Sequence, residues 1–533
     1  MASTDGLLPP GGPEREAWTG ATALTVTALL NCLVREVARP GPEAGAHVLP
    51  ATGHVLRVHG SRFPADPELR TPRGWRPLPL DELIALTAAE LRARTGVENA
   101  ALPAEIRHSR DVTAVLLAAR RATEPPADLY LRSEQALVAG HRYHPAPKAR
   151  GGGGPREWLR YSPEVRASFT LPVLGVPAEL LVEEGDPAAL DALAPAVPAD
   201  GLVPLPAHPW QVELLGGLRG GRLRHLGGTE LRHLGETARE AVATSSIRTV
   251  YLPEADLFCK FSLDVRITND VRRLWLRDLR RLSEVADLVD GAFDGLAEHV
   301  PRPAVLRDRG YRSAELGGDG GEALAVIVRD GLGGRLRPGL RAAQAAGISE
   351  GFPGNPLDGL DEDTALLWWE RYLEHVVPPV LHAYLRHGVV LECHLQNVLV
   401  GVDARGLPAQ ALFRDHEGVR ILAERRPGLP GAASVSRAYG WERLVYCLLV
   451  NNLLEIGGAV TERHPALRDE LWARARAVFK DAGRDHADPE ELRELLSGPY
   501  LPAKANLLLR WTDAEGEAMR CVPVPNPLRL FTP

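Results

Sequence analysis

The chain has 533 residues and a formal net charge of -7, from 62 basic and 69 acidic side chains. Hydrophobic residues make up 45% of it and charged residues 25%, a balance that excludes a disordered, collagen-like or fibrous chain. Because the charge is mixed and mildly acidic, the sequence predicts no nucleic-acid partner. No apolar run near the length of a membrane helix is evident, and residues 1–16 lack the features of a secretory signal. We therefore expect a cytoplasmic protein that binds neither nucleic acid nor membrane.

The elements predicted in chain order indicate an α+β protein of several domains. Amphipathic helical patterns cover 16–38, 81–95 and 112–121; strand-rich stretches cover 168–184, 243–268 and 323–328; further helices cover 362–387, 441–456, 465–482 and 490–496. The middle of the chain is therefore rich in strands and the last third is mostly helical. We predict three regions, 1–130, 131–340 and 341–533.

Cysteine and lysine are used sparingly. The five cysteines lie far apart and form no pair motif, which predicts a reducing compartment. Only four of the 62 basic residues are lysines. Because an ammonium is not equivalent to a planar guanidinium, each surviving lysine is a candidate for a specific role. The four are Lys148, Lys260, Lys480 and Lys504, and Lys480 is the one that lies outside any segment of interest.

The clearest strand covers 257–268, where apolar residues alternate over twelve positions and predict one buried face. With 243–252 and a four-residue turn it predicts a β-hairpin that sets Thr249 opposite Lys260. The same register puts Arg248 on the other face unless a bulge intervenes. Hydroxyls and cations on this hairpin suit the oxygens of a triphosphate, or else form a solvated polar face.

A second polar cluster lies within an apolar run at 387–400. If this run is extended, Glu392, His394 and Gln396 share one face and Asn397 points away. The Asn397 amide and the Asp415 carboxylate, fifteen or so residues later, are oxygen ligands of the kind that Mg²⁺ uses together with substrate phosphates. The alternative is a polar cluster satisfied by internal hydrogen bonds.

Three shorter segments add weaker signals. In the segment 134–154, four basic residues precede four glycines: His141, His144, Lys148 and Arg150. This composition is typical of an anion-binding loop or of a basic surface loop. A zinc site formed by the two histidines has little support. The segment 205–211 predicts a packed corner around a proline-flanked tryptophan. Lys504, in 501–510, has no clear role by itself.

Together these segments resemble the IucA/IucC family, the NRPS-independent siderophore synthetases. The matching stretches, in the family's order, are EQALVAGHRYHPAPKARGG, PAHPWQ, ATSSIRT, KFSLDVRITNDVRR, ECHLQN, FRD and LPAKANLLLR. The resemblance implies a cupped hand of thumb, fingers and palm, with ATP and Mg²⁺ between fingers and palm, and a homodimer. It also implies that a carboxylate is adenylated and then captured by an amine or hydroxyl nucleophile.

The resemblance also assigns roles to residues of this sequence. Nucleotide-binding positions are Ser246, Arg248, Thr249, Lys260, His144, Lys148 and Gln396; acid-binding and catalytic positions are Arg272 and His394; metal positions are Asn397 and Asp415. Lys504 matches a substrate-side lysine, and we add Glu392 as a substrate contact. His416 stands at a position that is often apolar or variable in the family, and residues 1–130 show little of the family's pattern.

One rival enzyme class fits part of the chain. HGVVLECHLQNVLV followed by FRDHEG resembles the catalytic and metal loops of aminoglycoside-type kinases. A small-molecule kinase, however, has an aspartate where Glu392 stands, and it leaves the hairpin and the 134–154 loop without a function. A binding protein with an inactive synthetase fold is the non-enzymatic alternative.

Overall fold

The computed structural model describes residues 12–194, 201–224, 229–267, 270–317, 320–427, 433–514 and 520–529. Helices and sheets occur along the whole of this described part, so the predicted α+β class is confirmed. The predicted boundary at 130 falls inside a helix, and the boundary at 340 falls where a strand begins. The division into three regions stays a prediction.

The first region combines helices with an antiparallel meander. Its elements are α1 (Pro13–Glu36), β1 (Arg39–Pro40), β2 (Ala46–Val48), β3 (Val55–His59), β4 (Ala65–Thr71), β5 (Gly74–Pro77), α2 (Leu80–Thr95) and α3 (Ala101–Arg120). The five strands pair in sequence order. Their core also contains Leu507 and Trp511, from near the other end of the chain. The two ends of the chain therefore share one hydrophobic core.

The middle region carries the largest sheet. Its elements are α4 (Leu129–Glu134), β6 (Ser168–Phe169), β7 (Pro172–Pro177), β8 (Leu181–Gly185), β9 (Leu202–Pro206), α5 (Pro209–Leu214), β10 (Arg222–Arg224), β11 (Glu230–Glu236), β12 (Ala241–Ala243), β13 (Thr249–Leu252), β14 (Leu257–Phe261), β15 (Leu263–Ile267), β16 (Asp270–Arg272), α6 (Leu276–Leu279), α7 (Leu282–Gly291), β17 (Ala304–Leu306), β18 (Asp308–Ala314), α8 (Gly320–Ala323), β19 (Val326–Asp330), β20 (Arg341–Gln344) and α9 (Ala345–Glu350). One sheet has the order β6-β12-β13-β14-β19-β18-β8 and another the order β10-β11-β7-β9.

The last region is mostly helical, around smaller sheets. Its elements are α10 (Glu362–His387), β21 (Val389–Val390), β22 (Val398–Val402), β23 (Pro408–Arg414), β24 (Arg420–Leu422), β25 (Ser434–Val435), α11 (Arg437–Val445), a π-helical segment (Tyr446–Leu453), α12 (Leu454–Arg463), α13 (Arg468–Asp485), α14 (Glu490–Ser497), β26 (Tyr500–Lys504), α15 (Asn506–Trp511) and β27 (Cys521–Pro525). A four-stranded sheet of order β17-β23-β22-β20 joins this region to the middle one.

The predicted hairpin is present, and its register is confirmed: Thr249 pairs with Lys260 across β13 and β14. The single strand predicted over 257–268 is wrong. It breaks at Ser262, whose N–H donates to the Ala325 carbonyl at 2.9 Å and whose Oγ accepts from the Leu274 N–H at 2.9 Å. Thr268 lies outside the described residues.

The expectation of one buried face on this strand is also wrong, because both faces of β14 are buried. Leu257, Cys259 and Phe261 pack into one hydrophobic cluster, and Phe258 packs into another on the opposite side. Lys260 shares the side of Phe258, so its ammonium group lies in the protein interior, where a charge needs partners.

The predicted tryptophan corner is confirmed. Trp210 is buried against Trp158 and Tyr161, with ring centroids 4.9 and 5.5 Å away. His208 Nδ1 accepts the Trp210 N–H at 3.1 Å and so caps α5. This histidine therefore has a structural role.

Two helical stretches, Pro13–Glu36 and Arg437–Arg463, are long and apolar enough to cross a membrane by length and composition. The expectation that the sequence contains no such run is therefore wrong. Most of each stretch is buried against the rest of the chain, a property that the core helices of globular proteins share.

Candidate active site

The turn before β13 brings Arg248 to the same place as Lys260. Ile247 adopts a left-handed backbone conformation with φ 65°, and Ser246 Oγ accepts the Thr249 N–H at 3.1 Å. Arg248 then places a guanidinium nitrogen 3.3 Å from Glu417 Oε2, which Lys260 Nζ also contacts at 2.6 Å. The tight turn thus overrides the alternation that predicted Arg248 on the other face.

Lys260 joins two sheets through carboxylates that follow β23. Its Nζ lies 2.6 Å from Asp415 Oδ1 as well as 2.6 Å from Glu417 Oε2. We call Arg248, Lys260, Asp415 and Glu417 the paired cluster. The sequence analysis missed Glu417. Its only signal in the sequence is that an acidic residue stands two positions after Asp415.

Both carboxylates of the paired cluster are ionised. Burial acts to raise the pKa of Asp415, but Lys260 and Arg329 outweigh it and hold that pKa well below its ordinary value. The pKa of Glu417 is lowered in the same way, with burial outweighed by Lys260 and Arg248. Asp415 also has φ 77°, a backbone strain of the kind that often marks functional sites.

A second ion pair supports the paired cluster from behind. Arg329 Nε on β19 lies 2.5 Å from Asp308 Oδ1, and its Nη2 lies 3.4 Å from Asp415. The other Asp308 oxygen accepts the His416 N–H at 3.0 Å. His416 is itself buried, and burial lowers its pKa. The histidine that departs from the family pattern is therefore packed against this ion pair.

The extended conformation considered for 387–400 is present at Val389–Val390 and from Val398 onward, but it is wrong at 394–397. The chain is a turn between β21 and β22, and the Asn397 N–H closes it by donating to the His394 carbonyl at 2.9 Å. Asn397 Nδ2 lies 3.3 Å from His394 Nε2, so the two side chains meet instead of pointing apart. Because the Asn397 carbonyl accepts the Arg414 N–H at 3.2 Å, the turn also lies beside Asp415.

The π-helical segment holds this turn in place. The Asn451 carbonyl accepts the Leu395 N–H at 3.0 Å, and Asn452 Nδ2 donates to the Cys393 carbonyl at 2.9 Å. Asn451 has non-helical dihedral angles, φ -104° and ψ 16°, which expose its carbonyl. A π-helical bulge at this position is typical of a functional site.

Glu392, which we predicted to contact substrate, is ion-paired with Arg443. Its side chain lies across Gly418, where an added Cβ would stand 1.6 Å from Glu392 Oε2. Only glycine fits at position 418 without displacing Glu392. The substrate-binding role of Glu392 stays a prediction.

The sequence analysis also missed a buried hub that joins the two candidate nucleotide loops. Glu134 Oε2 accepts the Ser245 N–H at 3.0 Å, and its Oε1 lies 2.6 Å from Arg414 Nη2. Arg414 in turn donates two hydrogen bonds to the Gln396 carbonyl, at 3.1 and 2.7 Å. The Gln344 side chain makes a parallel link, to Ser245 Oγ at 2.8 Å and to the Gln396 carbonyl at 3.2 Å.

The remaining nucleotide and acid positions lie around this hub. Gln396 Nε2 is 3.4 Å from Ser245 Oγ, and Thr249 is buried in β13. Arg272 is the last residue of β16, and its carbonyl accepts from Arg248 Nη1 at 3.2 Å. The Arg272 backbone thus lies at the edge of the paired cluster, while its guanidinium donates to the Ile267 carbonyl at 2.8 Å, and its acid-binding role stays a prediction.

The 134–154 loop contributes His141. The Tyr143 N–H donates to His141 Nδ1 at 3.1 Å, and Asn506 Nδ2 donates to the Tyr143 carbonyl at 2.8 Å. Burial lowers the pKa of His141 to about 4, and the neighbouring basic side chains Arg35, Lys504 and His394 lower it further. We call Arg35, His141, His394 and Lys504 the cationic cluster.

His394 is neutral for the same reason. Burial lowers its pKa, which Glu392 and Asp415 only partly oppose. His144, the histidine we predicted to bind nucleotide, is buried, and its Nδ1 accepts the Ala146 N–H at 3.2 Å. Its predicted role finds no support in these contacts, whereas His141 was not among the assigned positions.

Lys148 is engaged in a buried ion pair. Its ammonium contacts the Glu164 carboxylate, which also lies 2.5 Å from Arg150 Nη2. The two cations outweigh burial and lower the pKa of Glu164 to about 2. Across the described ranges, no recorded contact joins Lys148 to the paired cluster, so its predicted nucleotide-binding role has no support here.

Magnesium binding can be judged from the donor set. In the part of the chain that the structure describes, no three His, Cys, Asp or Glu side chains are grouped as a complete metal site. Mg²⁺ bound with a nucleotide needs only one or two protein carboxylates, since phosphates and water supply the other ligands. Asp415 and Glu417 fit that requirement, and Asn397 lines the same cavity as Asp415.

Comparison with known proteins gives two family matches. The family described as "IucA / IucC family" matches residues 129–350, and the one described as "Ferric iron reductase FhuF-like transporter" matches residues 366–519. The chain is 28% identical to rhizobactin siderophore biosynthesis protein RhbC of Rhizobium meliloti, over 92% of this chain and 93% of that protein. It is also 28% identical to L-2,3-diaminopropanoate--citrate ligase of Staphylococcus aureus, over 75% of each.

The fold agrees with solved structures. ATP-bound aerobactin synthetase IucA from Klebsiella pneumoniae superposes with a TM-score of 0.80 at 22% identity, covering 95% of this chain and 99% of that one. Aerobactin synthetase IucC from the same source superposes with a TM-score of 0.73 at 19% identity, covering 96% and 98%. The resemblance to the IucA/IucC family of siderophore synthetases is thus confirmed by the family match over residues 129–350 and by the relatives.

Proposed function

We propose that the chain is an ATP-dependent ligase that joins a carboxylic acid such as citrate to an amine or hydroxyl in siderophore-type biosynthesis. In the first half-reaction an acid oxygen attacks the α-phosphorus of ATP, and the bond to the β-phosphate oxygen breaks. This gives an acyl-adenylate and pyrophosphate. In the second, the nucleophile attacks the acyl carbon and loses a proton, and AMP leaves as the carbon–oxygen bond breaks.

The observation that most supports this proposal is the paired cluster. Two cations from one sheet meet two ionised carboxylates that follow a strand of another sheet. Adenylation needs fixed positive charge on the phosphates, in a site that does not have to reorganise during the reaction. Lys260 and Arg248 supply that charge when they exchange Glu417 for phosphate oxygens.

The two carboxylates that Lys260 and Arg248 would release on binding phosphate are suitable ligands for magnesium. Asp415 and Glu417, with Asn397, would hold the ion, which neutralises phosphate charge when bound. Because Lys260 contacts both carboxylates, its ammonium occupies the position of a counterion. Movement of Lys260 to phosphate would leave both carboxylates available to a cation.

Arg272 and His394 are the residues to hold the acid. A guanidinium matches the planar geometry of a carboxylate with two parallel hydrogen bonds. His394 is neutral because its pKa is lowered by burial, so it can orient the acid by hydrogen bonding and accept a proton from the incoming amine. Orientation is the role that its contact with Asn397 supports better.

The choice of acid follows from the relatives. L-2,3-diaminopropanoate--citrate ligase and spermidine-citrate ligase of Bacillus anthracis both act on citrate by name. Citrate is therefore the first acid to test, ahead of a citrate monoamide, 2-oxoglutarate and a succinylated hydroxamate. A homodimer and a cytoplasmic location are part of the same proposal.

The test is ATP-dependent pyrophosphate release with each acid, first without a nucleophile and then with hydroxylamine as a trap. A signal with one acid supports adenylation and identifies the acid. Silence with every acid, together with ADP formation when alcohols or amino-sugars are added, would replace the ligase by the small-molecule kinase.

A further inference from the structure

The C-terminal end of α1, which carries Arg35, contacts two segments near the other members of the cationic cluster: the start of α15 and the loop that contains His141. The Glu36 carboxylate accepts the N–H groups of Leu507 and Leu508 at 3.0 and 2.9 Å, at the start of α15. The Asn506 side chain, in the same helix, binds the Tyr143 carbonyl. The end of α1, with Arg35, is therefore fixed next to Tyr143 of the 134–154 loop and to the start of α15, which begins two residues after Lys504.

Within the described ranges Arg35 forms no ion pair with a carboxylate. Its Cζ lies over the Tyr143 ring, 3.0 Å from the ring centroid. A guanidinium stacked on an aromatic ring keeps its N–H groups in its own plane, directed away from the ring. That arrangement leaves a planar set of donors for a carboxylate.

The carboxylates nearby are already engaged. Glu455 pairs with Arg142, and Glu392 pairs with Arg443. Glu36 binds two backbone N–H groups, and burial raises its pKa to about 7 even though those hydrogen bonds and Arg35 oppose the shift. None of the three is a full counterion for this part of the site.

The charge balance here thus favours an anionic ligand. After burial, the neighbours that lower the pKa of His141 are the basic side chains Arg35, Lys504 and His394. A guanidinium that has no ion pair of its own, next to other basic groups, attracts and orients a ligand with several carboxylates. One carboxylate is consumed in the reaction, so the others remain available for recognition.

We propose that Arg35 binds a non-reacting carboxylate of a substrate, which makes the C-terminal end of α1 a specificity element of the active site. The inference rests on the proposed function. The carboxylate can come from the acid, as in citrate, or from an amino-acid nucleophile. In both cases the N-terminal region takes part in substrate selection.

The test compares Arg35→Gln and Arg35→Lys with wild type, and uses Arg39→Gln on the exposed strand β1 as the matched control. In acid-dependent pyrophosphate release without nucleophile, Arg35→Gln should raise the KM for citrate about 10- to 100-fold, the usual weight of a charged hydrogen bond. The KM for ATP and the turnover of succinate, if it is a substrate, should not change. Arg35→Lys should recover part of the affinity, and Arg39→Gln should match wild type.

If the KM for citrate is unchanged, the second half-reaction identifies the other source. Arg35→Gln should then raise the KM for 2,3-diaminopropanoate and not for ethylenediamine, which lacks the carboxylate. Equal KM values for wild type and Arg35→Gln with both substrates, in variants with unchanged Tm, would overturn the inference.

Failure of the proposed function can be told apart from failure of this inference. If wild type releases no pyrophosphate with any acid, calorimetric titration of citrate without ATP decides the role of Arg35. Binding to wild type that is weakened at least tenfold in Arg35→Gln supports the inference. Equal binding by the two proteins, or no binding by wild type, overturns it.

Discussion

The paired cluster and the cationic cluster lie in one site but differ in whether their cations have carboxylate partners within the protein. In the paired cluster Lys260 and Arg248 already have carboxylate partners, so a phosphate bound as proposed would replace an existing ion pair. In the cationic cluster Arg35 has only the face of an aromatic ring, and His141 avoids adding charge by staying neutral. A carboxylate there adds a partner without displacing one.

This difference separates two kinds of mutational effect. Removal of a cation from the paired cluster leaves carboxylates unbalanced in a partly buried site, so stability and catalysis should both suffer. Removal of the Arg35 guanidinium from the cationic cluster breaks no ion pair within the described residues, so mainly substrate binding should suffer. The predictions below test this separation.

The largest expected effect is at Lys260. Lys260→Ala leaves Asp415 and Glu417 without their shared ammonium and removes a phosphate contact, so we expect a loss of activity of about 1,000-fold together with a lower Tm. Lys260→Arg keeps the charge, but the larger planar group does not fit a side chain that is 2% exposed, and we expect a loss of about 100-fold. Pyrophosphate release and thermal unfolding measure the two effects.

Lys480→Arg is the control, since Lys480 is exposed on α13 and the change should be silent. Full activity in Lys260→Arg would show that the scarcity of lysine in this sequence carries no functional meaning at this position.

We expect a comparable loss of activity, without a loss of stability, when the two proposed acid-binding residues are changed. His394→Ala and Arg272→Ala remove groups proposed to hold and orient the acid, and each should lower acid-dependent turnover by about 100- to 10,000-fold. Because His394 is neutral in the folded protein, its removal should leave Tm close to that of wild type. Wild-type turnover in both variants would remove these two residues from the site.

The buried hub should couple stability to nucleotide affinity. Glu134→Gln leaves Arg414 without its buried carboxylate, and we expect about 3 kcal/mol of lost stability in urea unfolding. The same change loosens the hold on Ser245 and Gln396, so the KM for ATP should rise about tenfold more than the KM for the acid.

Glu424→Gln is the matched control for the hub. Glu424 forms an exposed ion pair with Arg437, and such pairs contribute less than about 1 kcal/mol. If the KM values for ATP and acid rise equally in Glu134→Gln, the hub is a general structural feature and does not position the nucleotide loops.

Local sequence patterns predicted the parts of the fold that local forces determine. The hairpin register follows from alternation and a short turn, and α10 has the predicted bounds of 362–387 because strong helical periodicity ends at a glycine. The turn at 391–397 was missed because polar residues two apart resemble a strand. Its conformation depends on Asn451 and Asn452, more than fifty residues away.

The site residues also divide into those that a local motif predicts and those that only tertiary contacts reveal. Lys260, His394 and Asp415 carry distinctive chemistry within recognisable motifs, and the structure brings Lys260 and Asp415 into contact. Glu134 and Arg35 have no local signal, because each matters only through partners far along the chain. Residue spacing does not encode tertiary contacts of this kind, so the sequence of the N-terminal region by itself gave no indication of its role.

The smallest expected effect tests whether a buried histidine outside both clusters behaves as a structural group. Burial lowers the pKa of His208 to about 3, whereas the unfolded chain takes up the proton near pH 6.5. The stability that His208 contributes is therefore complete above pH 6.5 and is lost as the pH falls from 6.5 toward 3. Between pH 7 and pH 5.5 this amounts to about 1 kcal/mol.

His208→Asn keeps an acceptor for the Trp210 N–H but does not titrate. In urea unfolding, the stability difference between wild type and His208→Asn should shrink by about 1 kcal/mol from pH 7 to pH 5.5. His299→Asn, at a histidine whose side chain is 69% exposed, should show no such change. An equal pH dependence in wild type and His208→Asn would mean that His208 accepts a proton while folded. The aromatic cage of Tyr161, Phe169 and Phe261 would then be open to water, contrary to its packing.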